Sequence, residues 1–435
     1  MNNITSLINK IKESEIGNRI ASGAFWSMVG TALSKVLVLI GGMFCARILG
    51  KEGFGEFGMI RSTITMFVVF GTAGLGLTAT KHIAEYKKTA KFRIPSIYIL
   101  TNGFAVISGL IVTIFILIIS RYLVSNSLNS PQLLIPLRLG ALLLFVTVLN
   151  GAQNGTLTGF ESFREIAKNN VIGGVFETVF MLLGAYFYNV EGAILGYGMG
   201  YIALYISNHF SIKKIFLRHD IKVRWSEFNK LDFSLLYKFS LPAMLSSILV
   251  TPVMWIARSV LVNNSGFEEL AVYEVATQWR VIILFIPSSI VHIVLPILSS
   301  INGEKKGKFW RVIKYNVLLN AGIAFCVALV VCVFSPIIMK LYGNGFTDPY
   351  PLIVLSLSTV FSSISSVIGA SIQSRSKIWA GFSFNLIWAA IVLGLSYFFV
   401  SNGFGAVGLS LAILISYMIH TMNELIYLRI QMNKD

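Results

Sequence analysis

Charged side chains are scarce in this sequence, and their scarcity limits what it can encode. Asp, Glu, Lys and Arg make up only 12% of the 435 residues, about half the share of an ordinary soluble protein. Hydrophobic residues reach 55%, and that much apolar surface cannot be hidden in one soluble core. The composition therefore excludes both a soluble globular enzyme and a disordered chain.

Cysteine is rare, and nucleotide-binding and metal-binding motifs are missing from the sequence. Cys45, Cys326 and Cys332 lie in or beside apolar segments without C-x-x-C spacing, which favours a packing role over metal or disulfide chemistry. The five histidines form no metal-type cluster. No G-x-x-x-x-G-K-[ST] motif occurs, which excludes a pump of the P-loop type. We expect no metal and no cofactor, apart from a coupling ion, H⁺ or Na⁺.

Long apolar runs are what the sequence does contain. Most are about 20 residues or longer, which is typical of membrane-spanning helices rather than of barrel strands. We predict an all-α polytopic membrane protein. The twelve predicted spans are 20–45, 55–80, 94–119, 131–155, 170–188, 191–212, 239–262, 268–298, 315–339, 350–373, 378–400 and 404–427.

Acids are fewer than bases, 19 against 35, and the bases alternate between loops. With the N-terminus placed in the cytoplasm, the inside segments carry most of them. The outside loops hold only Arg47, Lys51, Arg121 and Lys340. This asymmetry predicts a multi-pass protein of the inner (cytoplasmic) membrane with both termini inside. Because the bases form short islands between apolar runs, they indicate membrane loops rather than a nucleic-acid partner.

The chain is predicted to divide into two halves at its longest basic loop. A weak internal repeat supports the division, since aligning Phe57 with Tyr273 matches the starts of the second and eighth spans. Two-half architectures are common among transporters. The polar leader either lies on the membrane as an interfacial helix or stays frayed. The predicted parts are the leader 1–19, a six-helix bundle 20–212, the basic cytoplasmic loop 213–238, a second six-helix bundle 239–428 and the tail 429–435.

Seven ionisable residues fall inside predicted spans. Such groups cost about 2.5–3.5 kcal/mol each on insertion and usually face a cavity or a partner. A cavity lined by five bases and two acids is net positive and suits an anion, and the guanidinium fork matches phosphate oxygens. The bases are Lys35, Arg61, Arg138, Arg258 and Arg280, and the acids are Glu177 and Glu274.

The predicted depth of each base in the membrane indicates how readily its side chain could reach the surface. Arg280 lies roughly 18 Å along its span, at about 1.5 Å per residue, and Lys35 is similarly deep. Arg61 and Arg138 lie nearer the outer surface, where snorkelling is an alternative, and Arg258 is expected to be shallow and to matter less. Each acid, Glu177 or Glu274, either binds H⁺ or Na⁺ or neutralises a neighbouring base.

The first two spans resemble those of a known family. The features are Gly23-Ala24-Phe25-Trp26, Ala46-Arg47-Ile48-Leu49-Gly50-Lys51-Glu52-Gly53-Phe54-Gly55, Gly74-Leu75-Gly76 and Ala79-Thr80-Lys81. They resemble bacterial polysaccharide-transport proteins, the repeat-unit flippases for O-antigen, capsule and exopolysaccharide. This family belongs to the multidrug/oligosaccharidyl-lipid/polysaccharide exporter superfamily. The motif covers about residues 20–95, and the rest of the chain is similar in layout only.

The resemblance implies more than composition does. It implies two six-helix bundles around a central cavity that opens to each side in turn, and a transporter rather than an enzyme. The substrate would be an oligosaccharide linked through pyrophosphate to a polyprenyl lipid, gripped by cavity cations. The predicted intramembrane bases are this chain's candidates for that grip. Membrane lipid, a polysaccharide polymerase and chain-length proteins are the implied partners.

Two other functions compete with the flippase. Multidrug exporters of the same superfamily favour cations and often carry an acid in the first span, where this chain has Lys35. A membrane-embedded glycan polymerase or ligase typically needs a large outside loop. The longest candidate loops here, 122–130 and 341–350, are short.

Overall fold

The computed structural model describes residues 15–224, 228–236, 240, 248–291, 306–375 and 377–434. Within these residues the chain is helical and contains no strand, which confirms the predicted helical class. The predicted leader up to residue 14 lies outside the described residues. So do parts of the predicted central loop and of the seventh and eighth spans.

Eleven α-helices carry the described part of the chain, joined by short turns of 3₁₀ or π geometry. They are α1 Glu15–Thr72, α2 Leu75–Thr89, α3 Ile94–Tyr122, α4 Leu134–Gly159, α5 Phe163–Arg218, α6 Val250–Ile283, α7 Phe285–Val291, α8 Lys306–Leu341, α9 Tyr350–Ser374, α10 Ile378–Phe399 and α11 Gly405–Lys434.

Several helices are long and apolar enough to cross a membrane. By length and composition there are seven of them in the described residues, or eight if α6 and α7, bent by 44°, form one span. Three of the seven run for 45, 56 and 53 residues, whereas a single span needs about 20. The predicted number of twelve therefore depends on how the long helices are divided.

Backbone breaks divide α1 and α6 in the same way. Gly50 has φ 73° and ψ 178°, and Gly266 has φ 84° and ψ 175°. This combination is essentially restricted to glycine, because a Cβ would clash with the neighbouring backbone. Gly50 precedes Phe57 by as many residues as Gly266 precedes Tyr273, which is the register of the repeat in the sequence.

A second pair of breaks keeps this register. Asn189, inside α5, has φ 48° and ψ −134°, and Gly405, at the start of α11, has φ 49° and ψ −135°. These two residues are separated by the same number of positions as Gly50 and Gly266. The backbone thus turns alike at two matched places, although the side chains there differ.

The first and second parts of the chain meet where α1 packs against α6. At Gly55 the helices approach so closely that a Cβ would overlap the Phe267 carbonyl. Around this crossing lies the main hydrophobic core, which includes the fully buried rings of Phe57 and Tyr273. The close approach brings polar side chains of the two helices into direct contact.

The described part of the predicted cytoplasmic loop is held against α3. Asp232 is buried and pairs with Arg93, and the Ser96 hydroxyl donates to its other oxygen at 2.7 Å. The backbone N–H of Asn229 in turn donates to Ser96 Oγ at 2.9 Å. This loop is therefore anchored to the first part of the chain.

Candidate functional site

A buried carboxylate joins two arginines at the crossing of α1 and α6. Arg61 Nη2 on α1 donates to Glu274 Oε2 at 2.9 Å, and Arg258 Nε donates to Glu274 Oε1 at 2.6 Å. The Glu274 side chain is 2% exposed, against 21% for Arg61 and 11% for Arg258. Both carboxylate oxygens are thus occupied, and the group of three carries one net positive charge. We call it the Glu274 triad.

A glycine makes room for this carboxylate. A Cβ on Gly58 would lie 2.7 Å from Glu274 Cγ and 3.3 Å from its Cδ. In the register set by Gly50 and Gly266, Gly58 is the position equivalent to Glu274. The Glu274 side chain therefore occupies the space that a side chain at position 58 would otherwise fill.

Replacing Gly58 by alanine is therefore expected to lower stability, although alanine favours a helix by about 1 kcal/mol over glycine. The new methyl group has to displace Glu274, and such overpacking typically costs about 1–3 kcal/mol. Gly103→Ala in α3 is the matched control, because a Cβ there meets nothing within 4 Å. The two melting temperatures, measured in detergent, test this. A Gly58 variant as stable as the Gly103 variant would contradict the tight fit.

The position of Arg258 differs from the depth expected of it. The predicted span ended at residue 262, but the helix continues to the break at Gly266. Arg258 stands as many residues before that glycine as Glu274 stands after it, so the two meet side by side. The helix end thus lies four residues beyond the predicted one, and Arg258, 11% exposed, pairs with Glu274 instead of extending to the helix end.

Glu177 lies near the triad without joining it. Its charge interacts with that of Arg61, but no ion pair within 4 Å links them in the described residues. Glu177 packs on Gly200 of the following segment of α5, where a Cβ would lie 3.0 Å from its Cα.

Lys35 and Arg138 are not part of this cluster. Lys35 is half-buried and lies on the same face of α1 as Gly42, where a Cβ would be 2.6 Å from Gln278 Oε1 of α6. Lys35 therefore faces towards α6. Arg138 lies on an exposed face of α4 with Ile135, and its Nε donates to Ser120 Oγ at 3.2 Å.

Arg280, on α6, is the cation without an acid. Its Nη2 donates to Ser362 Oγ of α9 at 3.3 Å, and its guanidinium carbon lies 5.1 Å from the centre of the Tyr417 ring of α11. Its Nε is buried without a hydrogen-bond partner. Across the described part of the chain, no carboxylate lies within 4 Å of this guanidinium. Arg280 thus keeps both a net charge and a donor for a further ligand.

Glu424 on α11 is a further buried acid, which is not among the site residues predicted from the sequence. It is only 4% exposed. His420 Nε2 lies 3.3 Å from Glu424 Oε1, and the Ser365 hydroxyl donates to Oε2 at 2.7 Å. The spacing His420-x-x-x-Glu424 places both on one face of α11, and that signal was present in the sequence.

Contacts across the chain concentrate at the end that carries the Gly50 break. Arg47 Nε donates to the Leu341 carbonyl at 2.7 Å, and Lys51 Nζ lies 3.5 Å from Glu268. The Ser127 carbonyl accepts hydrogen bonds from Ser259 Oγ at 2.8 Å and from Asn263 Nδ2 at 2.9 Å. This end, which we call the Gly50 end, is therefore closed.

Comparison with known proteins identifies the family. A family model described as polysaccharide biosynthesis protein matches residues 20–302, well over half of the chain. The chain therefore belongs to this family, and the resemblance found in the first two spans is confirmed.

Named relatives and a solved structure extend this result. The chain is 25% identical over 192 residues to the EPS I polysaccharide export inner membrane protein EpsE of Ralstonia nicotianae, a match spanning 43% of each protein and so less than half of that relative's length. It is 23% identical over 410 residues to the "Putative O-antigen transporter" of Shigella flexneri, covering 90% of this chain and 94% of that protein.

The fold is that of a membrane transporter. The chain matches an inward-facing multidrug resistance MATE family transporter of the MOP superfamily with a TM-score of 0.83 and 17% identity, over 92% of this chain and 95% of the other. This likeness is one of fold. Together with the apolar helices and the named relatives, it defines a multi-pass protein of the inner membrane.

Proposed function

We propose that this protein is a flippase that moves polyprenyl-pyrophosphate-linked oligosaccharide repeat units across the inner membrane. The observation that carries the proposal is the contrast among the buried bases. Arg61 and Arg258 share the one carboxylate of Glu274 and are held by it, whereas Arg280 has no acid within 4 Å in the described residues and an Nε without a hydrogen-bond partner. A half-buried guanidinium with spare donors is a binding group for phosphate oxygens.

The substrate explains why a protein is needed. A glycan with a charged pyrophosphate cannot cross hydrocarbon unaided, because burying unpaired polar and charged groups is very costly. A cavity with fixed cations lowers that barrier. Arg280 is the principal anion grip. Lys35 assists it, since it is half-buried and faces α6.

Transport proceeds by alternating access between two six-helix halves, with twelve spans and both termini in the cytoplasm. The matched breaks at Gly50 and Gly266 and at Asn189 and Gly405 support two similar halves. The basic loops place the Gly50 end outside. Its contacts are made in this structure, and we infer that this conformation takes up substrate from the cytoplasm.

The Glu274 triad belongs to the gate in this scheme. Arg61 and Glu274 come from different halves, and their ion pair has to separate before the outer side opens. Transport is driven by an H⁺ or Na⁺ gradient, by the membrane potential or by consumption of the product outside. A polysaccharide polymerase and chain-length proteins are the proposed partners that take up the product.

A multidrug exporter is the second candidate, favoured only by the fold it shares with a MATE transporter. Such exporters carry cationic compounds. The half-buried bases Lys35 and Arg280, without partner acids in the described residues, make the cavity unfavourable for cations. A glycan polymerase or ligase has no supporting observation in the structure.

The sidedness of a lipid-linked glycan in vesicles tests the proposal. Purified protein is reconstituted with a polyprenyl-pyrophosphate oligosaccharide, and an impermeant glycan-modifying probe reports its exposure. We expect exposure of the inner-leaflet pool to rise only in vesicles that contain the protein.

Protein-free vesicles and vesicles with heat-denatured protein are the controls, because both reveal leakage and spontaneous flipping. If several glycans show no protein-dependent exposure while a cationic dye is exported, the multidrug alternative is correct and the flippase proposal fails.

A further inference from the structure

The polar cluster around His420 has no role in the transport scheme above. His420 and Glu424 lie one turn apart on α11, and both are buried. The imidazole Nε2 and the carboxylate Oε1 are 3.3 Å apart. A buried carboxylate held by an imidazole and a hydroxyl is a group that can take up or release one proton, since histidine is the side chain that changes charge near neutral pH.

Two routes connect this pair to Arg280. Along α11, the Tyr417 ring lies 6.4 Å from the His420 ring, and its centre is 5.1 Å from the Arg280 guanidinium carbon. Along α9, Ser365 donates to Glu424, and Ser362, one turn before it, accepts from Arg280. The pair and the arginine therefore share two packed helices.

The other groups around the pair are mostly uncharged. From α9 come the hydroxyls and a glycine, Gly369, where a Cβ would lie 3.5 Å from Glu424 Oε1. From α10 the Trp388 ring packs on Tyr417 at 5.6 Å. Arg375 stands ten residues past Ser365 at the end of α9, against Phe309. Arg280 contacts Ser362 of α9 and Tyr417 of α11, the residues that lie next to the pair on the two helices.

We propose that the His420–Glu424 pair is a proton-binding site that sets the affinity of Arg280 for its anionic ligand. Without the proton, the neutral imidazole and the carboxylate carry one negative charge that weakens the positive potential at Arg280. With the proton, the pair is neutral and Arg280 attracts the anion more strongly. The proton binds to the imidazole–carboxylate pair from water, and no other bond forms or breaks. The inference rests on the proposed anion binding at Arg280.

Proton binding and anion binding are thermodynamically linked, so each must affect the other. If protonation strengthens anion binding, anion binding must promote proton uptake by the same factor. We expect affinity to rise about tenfold between about pH 8 and pH 6, which is within the range usual for coupling between two sites.

Binding of a short-chain prenyl diphospho-sugar to the full-length protein in nanodiscs, measured by calorimetry, tests this. The probe is a diphosphate diester, so its own charge is constant over the range. Wild type should bind more tightly at about pH 6 and take up protons from a weakly buffered medium as it binds.

Two variants should fix the affinity at opposite levels. Glu424→Gln removes the negative charge, so binding is tight already at about pH 8. His420→Gln removes the group that takes up the proton, so binding stays weak at about pH 6. His209→Gln, which changes an exposed histidine of α5, is the matched control and should behave as wild type.

The outcomes separate the two proposals. If wild type binds the probe equally at both pH values without proton uptake, the proton site is excluded while anion binding stands. The proton site is also excluded, and anion binding still stands, if both variants keep the wild-type pH dependence of probe affinity. If wild type binds no probe at any pH, the proposed function itself fails. The proton-uptake measurement needs wild type alone, so a variant that fails to fold does not rescue the inference.

Discussion

Arg280→Ala is expected to abolish transport of a lipid-linked glycan while leaving the protein folded and inserted. Its guanidinium keeps a spare donor and has no acid nearby in the described residues, so its removal deletes ligand contacts rather than a structural ion pair. Truncating one partner of a buried charge pair typically costs roughly 2–5 kcal/mol, so a loss of about 100-fold is expected. The rate of glycan exposure in vesicles and the affinity for a prenyl diphospho-sugar measure it.

Two matched variants distinguish this from a general loss of positive charge. Arg121→Ala removes an exposed arginine at the end of α3 and should leave transport unchanged. Arg258→Ala should retain more transport than Arg280→Ala, because the Arg258 guanidinium is already bound to Glu274. Full transport in Arg280→Ala, or equal loss in the Arg258 and Arg280 variants, would contradict the assignment of the anion grip.

The set of intramembrane charges could be predicted from sequence because each one interrupts an apolar run. Their pairing could not, because it arises from tertiary packing. Arg61 meets Glu274 only where two distant helices cross, and the crossing is as close as it is because of glycines such as Gly58. A count of charges therefore predicted a cavity of five cations. The geometry leaves Lys35 and Arg280 as the uncompensated interior bases in the described residues.

The positions of the helix breaks, too, could be predicted from the sequence only in part. The sequence placed a turn between the first two spans and another between the seventh and eighth, and Gly50 and Gly266 lie there. It could not locate the second turn to within a few residues, because the polar stretch Asn263–Asn264 before Gly266 continues the helix. A difference of four residues, about one helical turn, changes the distance of Arg258 from the helix end and hides its pairing with Glu274.

Fold likeness alone does not decide what the protein carries. The MATE transporter that it matches shares the fold at 17% identity, and one fold hosts many functions. What separates an anion carrier from a cation carrier is the charge left over in the cavity. In this chain Glu274 is the acid that could reverse that charge, and both its oxygens are already bound to arginines.

Glu274→Gln is expected to have the second large effect, and the effect is on conformation. The carboxylate holds Arg61 across the two proposed halves and Arg258 within α6. Removing the charge leaves two largely buried arginines without their counter-ion, and breaking a buried pair costs about 3–5 kcal/mol. The melting temperature should fall by several degrees, and the Gly50 end should open more often because its contact at the helix crossing is lost.

Spin labels at positions 129 and 264 report that opening, because both residues are exposed at the Gly50 end, where Asn129 Nδ2 lies 3.4 Å from Oδ1 of the neighbouring Asn263. The native cysteines are first replaced by serine. Glu274→Gln and Arg61→Gln should both add a population with a longer distance, since each breaks the ion pair between α1 and α6. Arg258→Gln breaks only the pair within α6, so it should lower stability and keep the wild-type distance. If all three variants open equally, or none does, the ion pair between Arg61 and Glu274 is not the contact that keeps the Gly50 end closed.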